Sequence, residues 1–157
     1  MDDMEALFKL YSYPGMTDYM KGLLPYDEEC EYQRAYIKWM YGFYGFGMWL
    51  AFEKQTGMLI ARAGLELRVL DDGTNVVELG YAVGSPYQRQ GYATEICRGI
   101  LGVSKDYAPG EKVHAFILPD NKPSIAFITK KLGFKYIGDI EIEGVKYREY
   151  TENNKDI

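Results

Sequence analysis

Residues 85–95, SPYQRQGYATE, join an alternating apolar run, Val76 to Val83, to a helix-spaced run, Ile96 to Tyr107. No other feature limits the fold as much, because a strand must here hand over to a helix through a turn with almost no side chain around it. Gly91 has no side chain, Ala93 has a methyl, and Thr94 falls in the first helical turn. Free N–H groups at a helix start, together with the helix dipole, favour negative charge. Arg89 adds a mobile cation at the rim. The local physics specifies an anion, phosphate among others, without saying which. The same turn is also common as a plain connection.

The rest of the chain supplies partners for this junction. Asp2-Asp3 opens a short helix with Met4, Leu7, Phe8 and Tyr11 on its apolar face, and Pro14-Gly15 ends it. Pro25 and Asp27 open a longer helix carrying Tyr32, Ala35, Tyr36, Trp39, Met40 and Phe43, which Gly42, Gly45 and Gly47 stop. MWLAFEKQTGMLIARAGLELRVL reads as a hairpin turning at Gln55-Thr56-Gly57, and DDGTN leads into VVELGYAV. Beyond the junction come a helix with Ile96, Ile100, Val103 and Tyr107, the strand KVHAFIL, and the helix SIAFITKKL, with Gly133 at its left-handed end. A last strand pair turns at Glu143-Gly144. The order α-α-β-β-β-α-β-α-β-β, without repeat or linker, predicts one α+β domain over residues 1–157.

Composition narrows the chemistry. A net charge of −5 argues against non-specific nucleic-acid binding, which needs a basic face, and weakly suits cationic acceptors such as amines. Cys30 and Cys97 are too few and too isolated for a disulfide framework or a structural zinc site, and read as packing residues. His114 is the single histidine, so no histidine-rich metal site is expected. No apolar run approaches membrane-spanning length and no signal peptide opens the sequence, so a cytoplasmic protein is expected.

Gln88-x-x-Gly91-x-Ala93 resembles the coenzyme A pyrophosphate motif, [RQ]-x-x-G-x-[GA], of the GNAT N-acetyltransferase superfamily. The strand ELGYAV before it and NKPSIAFITKKLGF after it are similar to that superfamily's flanking elements, and ELGY…GYATE with Asn121-x-x-Ser124 is most similar to the ribosomal-protein N-terminal acetyltransferase (Rim-type) branch. The resemblance implies a mixed α/β fold, a mainly antiparallel sheet flanked by helices. It implies acetyl-CoA as co-substrate, no metal, and direct attack by a primary amine, either a protein or peptide N-terminus or a small amine. Two departures stand out. Relatives begin with a strand before the first helix, where this sequence has only Met1-Asp2-Asp3; a chain cut from a longer protein, or a sheet lacking one edge strand, is expected, with another chain (a homodimer) or the lost segment covering that edge. Thr129 stands where many relatives carry the tyrosine that protonates the leaving thiolate.

By the same resemblance, the strand before the motif parts from its parallel neighbour KVHAFIL, and pantetheine lies in the gap against Tyr81, Ala82 and Val83. A backbone N–H near Val83 polarises the thioester oxygen. The stretch Gln88, Arg89, Gln90, Gly91, Tyr92, Ala93 and Thr94 receives the pyrophosphate, and Asn121 contacts the pantetheine. Ser124 stands near the sulfur; Asn121 and Ser124 also read as ordinary helix caps. A lysine-like amine must lose a proton at a cost of roughly 4–5 kcal/mol at neutral pH. Glu78, which interrupts an apolar strand, is the first candidate base, with Glu141 and Glu143 second; as an alternate-face residue, Glu78 also reads as simply exposed. The acceptor site is expected between the first two helices and the final hairpin, where some of the fifteen tyrosines gather. A non-catalytic acyl-CoA-binding or sensory module is the alternative.

Overall fold

The computed structural model describes residues 2–153, and its elements follow the expected order. Helix α1 (Met4–Tyr11) buries Met4, Leu7 and Leu10; Asp3 occupies its N-cap position without a capping hydrogen bond from its side chain. Helix α2 (Tyr26–Tyr36) passes directly into a π-helical stretch (Ile37–Tyr44), which Gly45 stops at φ 75°. The single long helix expected here is continuous, but its inward face differs from the aromatic spacing. Tyr32, Trp39 and Phe43 are 51%, 59% and 76% exposed, whereas Glu29 and Gln33 are buried. A polar pair is tolerated inside because its hydrogen bonds are made: Gln33 Nε2 donates to Glu29 at 2.6 Å, and the Leu24 N–H donates to the same carboxylate at 2.9 Å.

Six strands form one sheet in the order β1-β2-β3-β4-β6-β5. They are β1 (Met48–Phe52), β2 (Leu59–Val69), β3 (Asn75–Val83), β4 (Val113–Ile117), β5 (Lys135–Ile142) and β6 (Val145–Thr151). All pairings are antiparallel except that of β3 with β4. Among the described residues no strand pairs with the outer edge of β1, where the family pattern has its first strand.

Strand alternation divides the side chains between two faces. Ala63, Leu65, Val77, Leu79, Ala115 and Ile117 turn toward helices α3 (Tyr92–Tyr107) and α4 (Lys122–Lys130), where they meet Cys97, Ile100 and Ile128. A fully buried side chain such as Ile128 contributes about 1.5–3 kcal/mol through its removal from water. Helix α3 is rotated slightly from the expected face: Cys97, Ile100 and Ser104 are buried, and Val103 and Tyr107 are exposed. Ser104 is accommodated because its hydroxyl donates to the Leu101 carbonyl at 2.9 Å. Cys97 serves as packing, its thiol pushed up to about 12 by burial. The opposite face, under α1 and α2, carries Arg62, Gly64 and Glu66 on β2 and Glu78, Gly80 and Ala82 on β3. No helix among the described residues is long and apolar enough to cross a membrane.

Candidate active site

The junction after β3 is held open by its own side chains. Gln88 Nε2 donates back to the Val83 carbonyl at 2.9 Å, and Gln90 Nε2 donates to the Pro86 carbonyl at 2.8 Å. Arg89 adopts φ 61°, an uncommon conformation for a residue with a side chain. Gly91 has φ 91°, and the space its missing Cβ would take is open to 4 Å. The Glu95 N–H donates to the Gly91 carbonyl at 3.1 Å, which leaves the N–H groups of Tyr92, Ala93 and Thr94 at the helix start without that intrahelical bond. Gly91 offers no side-chain cap. The Tyr92 ring does not close the turn, because its hydroxyl donates to Glu53 at the β1–β2 turn.

Directly before this turn the sheet opens. Strands β3 and β4 are paired in parallel only at Val77 with Val113 and Glu78 with His114. Beyond Glu78, β3 continues to Val83 with β2 alone. The Gly84 N–H donates to the Ile60 carbonyl of the β2 side at 2.9 Å. Alternation of backbone direction therefore turns the N–H groups of Tyr81 and Val83 away from β2, into the gap. Ala82 faces the other way: its backbone belongs to the β2 ladder opposite Arg62, and its methyl packs under α1. It has no polar group for the gap.

Each face of the gap has its own polar group. Under α1 and α2, Glu78 lies cross-strand from Glu66 and accepts from Arg68 Nε at 2.5 Å. Burial pushes the Glu78 carboxyl above the usual carboxylate range; Arg68 pulls it back, Glu66 raises it further, and His114 lowers it. The Arg68 guanidinium is sandwiched by aromatic rings, 5.5 Å from Phe116 and 5.7 Å from Tyr147. His114 Nδ1 and Glu149 Oε1 are 2.6 Å apart on the next two strands. On the α3/α4 face the Tyr81 hydroxyl and Ser124 Oγ are 2.5 Å apart, and the Tyr81 ring meets Phe127 edge-on at 5.0 Å. Burial raises the Tyr81 hydroxyl, so it keeps its proton at neutral pH.

Asn121 Oδ1 accepts from the Ser124 N–H at 3.2 Å, so Asn121 is the N-cap of α4 and keeps its NH₂ group free of that bond. Thr129 Oγ1 donates to the Ile125 carbonyl at 2.7 Å and is consumed within its helix. Glu141 and Glu143 are exposed on and beyond β5, the far edge strand, with β6 and β4 between them and the gap. The Glu143 N–H donates to the Asp71 carboxylate at 3.1 Å, which anchors the last hairpin to the β2–β3 turn. The reading from sequence missed Glu66, Arg68 and the Tyr81 hydroxyl. Register about the DDGTN turn could have found the first two, since it sets Glu66 opposite Glu78.

The chain belongs to the GNAT acetyltransferases: the family model described as "Acetyltransferase (GNAT) domain" matches residues 1–135. It is similar to YkkB, an uncharacterized protein of Bacillus subtilis (strain 168), with 29% identity over 138 residues, 85% of this chain and 77% of that protein. Among solved structures, a GnaT-family acetyltransferase from Bordetella pertussis shares the fold at a TM-score of 0.77 and 21% identity, over 98% of this chain and 91% of its own. A ribosomal-protein-S5-alanine acetyltransferase from Vibrio fischeri does so at 0.78 and 13% identity, over 99% of this chain and 90% of its own. Membership in this family makes the protein an acetyltransferase.

Proposed function

We propose that this protein transfers the acetyl group of acetyl-CoA to a primary amine by direct attack. The observation that carries the reading is the parting of β3 from β4 immediately past Glu78 and His114, with two N–H groups turned into the gap and a bare helix start at its end. The donor set fits coenzyme A: N–H groups and a cation, Arg89 through Thr94, suit a pyrophosphate, and an open strand edge suits the amide-bearing pantetheine arm. In this reading Tyr81 and Val83 hold that arm, and Gln88 and Gln90 keep the turn in shape. The Asn121 NH₂ group reaches a carbonyl of the arm. Acetyl-CoA supplies, when bound, an acyl group activated as a thioester.

The chain's own groups do the remainder. Val83's N–H stabilises negative charge on the thioester oxygen as the C–N bond forms. Glu78 takes the amine's proton through water, and its raised affinity for protons suits it to a base working near neutral pH. As the C–S bond breaks, the Tyr81–Ser124 hydroxyl pair supplies a proton to the sulfur, in place of the tyrosine that Thr129 replaces. The test is thiol release from acetyl-CoA with a panel of amines, including short peptides with free N-termini, and mass analysis of the products. Amine-dependent release with an acetylated product is expected. Acetyl-CoA binding without release for any amine would return the chain to a non-catalytic acyl-CoA module.

A further inference from the structure

We propose that a cavity between α1, α2 and the β1–β2 edge binds a carboxylate of the acceptor through Arg62, so that the acceptor is a small amino-acid-like zwitterion. The proposal rests on the acetyl-transfer reading only for the amine end of that ligand.

The cavity measures about 300 Å³, at the small end of the range for small-molecule sites, and Arg62 contributes to its lining. Arg62 is 9% exposed, yet among the described residues no carboxylate lies within 4.0 Å of its guanidinium. Its two hydrogen bonds are long and go to neutral groups: Nη1 donates to the Tyr11 hydroxyl at 3.5 Å and Nη2 to Gln33 Oε1 at 3.4 Å. The nearest acids of this network are a step removed. Gln33 stands between Arg62 and Glu29, and the Tyr36 hydroxyl donates to Glu66 at 2.7 Å while its ring lies 5.7 Å from the Arg62 guanidinium. A buried cation is ordinarily matched by a carboxylate in direct contact, and a guanidinium fork matches a carboxylate with two parallel bonds. Here, among the described residues, that direct partner is missing while the guanidinium borders a cavity.

Its surroundings describe the remainder of the ligand. Met4, Leu7 and Leu50 give the cavity apolar walls suited to an aliphatic or aromatic side chain, and Asp3 is the only carboxylate that the described residues bring to its lining. Arg62 lies opposite Ala82, and the next pairs along the ladder are Gly64 with Gly80, then Glu66 with Glu78. The two glycines leave the floor between cation and base bare over a span of about 13 Å along the strand, from about 3.3 Å per residue. Met48 Sδ lies on this floor, 2.9 Å from where a Gly80 Cβ would stand, and is a flexible filler. A carboxylate at Arg62 therefore points the other end of a small ligand along this floor toward Glu78, beside the lip of the gap. A protein N-terminus carries no carboxylate next to its amine.

The experiment has two arms. In the first, L-phenylalanine, L-leucine and L-methionine are compared with their carboxamides as acceptors for wild type, Arg62→Lys and Arg62→Met. Wild type should prefer the acids by about 10–100-fold in kcat/KM, the scale of a lost charge-assisted bond. Arg62→Met should bring that ratio to about one, with Arg62→Lys between. The ratio is internal to each preparation, so partial misfolding leaves it unchanged, and if neither variant is soluble the wild-type ratio decides. In the second arm calorimetry follows 3-phenylpropanoate, which has no amine to acetylate. Saturable binding that Arg62→Met weakens by tenfold or more supports the pocket even if no amine turns over. Acetylation of peptides with no preference for acids over amides, and no 3-phenylpropanoate binding, would overturn the pocket and leave acetyl transfer standing, with Arg62 a clamp between β2 and α2.

Discussion

Replacing Gly64 by alanine adds one methyl group, and its cost follows from the approach of β1 to β2. A Cβ on Gly64 would stand 2.0 Å from the Gly47 carbonyl oxygen and 2.7 Å from the Met48 Cα, both backbone atoms. The start of β1 must retreat by about 1 Å, enough to break a hydrogen bond of ordinary length. Met48 is tied at both ends: its N–H donates to the Tyr36 hydroxyl at 2.8 Å, and its carbonyl accepts from the Tyr41 hydroxyl at 2.6 Å. Losing both at about 1 kcal/mol each, together with the first rung of the β1–β2 ladder, costs roughly 3 kcal/mol. Stiffening of the unfolded chain returns about 0.4–1 kcal/mol. The net loss is about 2 kcal/mol, or about 4–8 °C in Tm for a chain of this size. Gly102→Ala, the same chemical change within α3 with nothing within 4 Å of the new atom, should instead stabilise by about 0.5–1 kcal/mol. Urea unfolding followed by circular dichroism measures both. A Gly64→Ala protein as stable as wild type would refute the argument from close approach.

Gly91→Ala should cost mainly backbone strain, whereas Gly91→Glu should in addition abolish acetyl-CoA binding in calorimetry, because its carboxylate competes with the pyrophosphate; undiminished affinity in a folded Gly91→Glu protein would sink the cradle. Glu78→Gln should retain acetyl-CoA affinity and lower kcat by about 10²–10⁴-fold, with partial rescue at higher pH as more amine is already neutral. Ser124→Ala should cause a smaller loss without that rescue, and matching pH–rate profiles for Glu78→Gln and wild type would remove Glu78 from the reaction. Arg68 lowers the Glu78 carboxyl, so Arg68→Met should raise it and move the acid limb of kcat/KM to higher pH with the same amine; a limb that stays in place or moves to lower pH would mean that Glu78 does not set it.

What could be read in the sequence was local. Gly91 and Gly133 announced their positive φ, 91° and 75°, because few other residues adopt it readily. Alternation announced β3, and the chemistry of the turns announced the hairpins. The inward face of α2 stayed hidden, since Glu29 and Gln33 are stable inside only through bonds to each other and to Leu24 and Arg62. The π-helical stretch Ile37–Tyr44 was equally hidden, because apolar spacing at 3.6 residues per turn does not report a wider helix. The pair of Tyr81 and Ser124 spans 43 positions and depends on how α4 is laid against the sheet, which no short pattern records.

The gap between β3 and β4 also divides the chain in order. Everything up to α3 builds the strands β1, β2 and β3, and everything after the Ala108–Lys112 connection builds β4, α4, β5 and β6. The two three-stranded halves share only the backbone pairs at Val77–Val113 and Glu78–His114, and are otherwise joined by side chains: Leu65, Val77 and Cys97 from one half lie in the same core as Ile117, Ile128 and Phe134 from the other. Apolar contacts are non-directional, whereas a ladder of hydrogen bonds fixes the angle between strands. The molecule is therefore a pair of leaves on a two-rung spine, with an opening angle set by packing and adjustable in small steps. Its exposed connection at Pro109-Gly110 is a place where the polypeptide could be severed and the two pieces reassembled on their shared core.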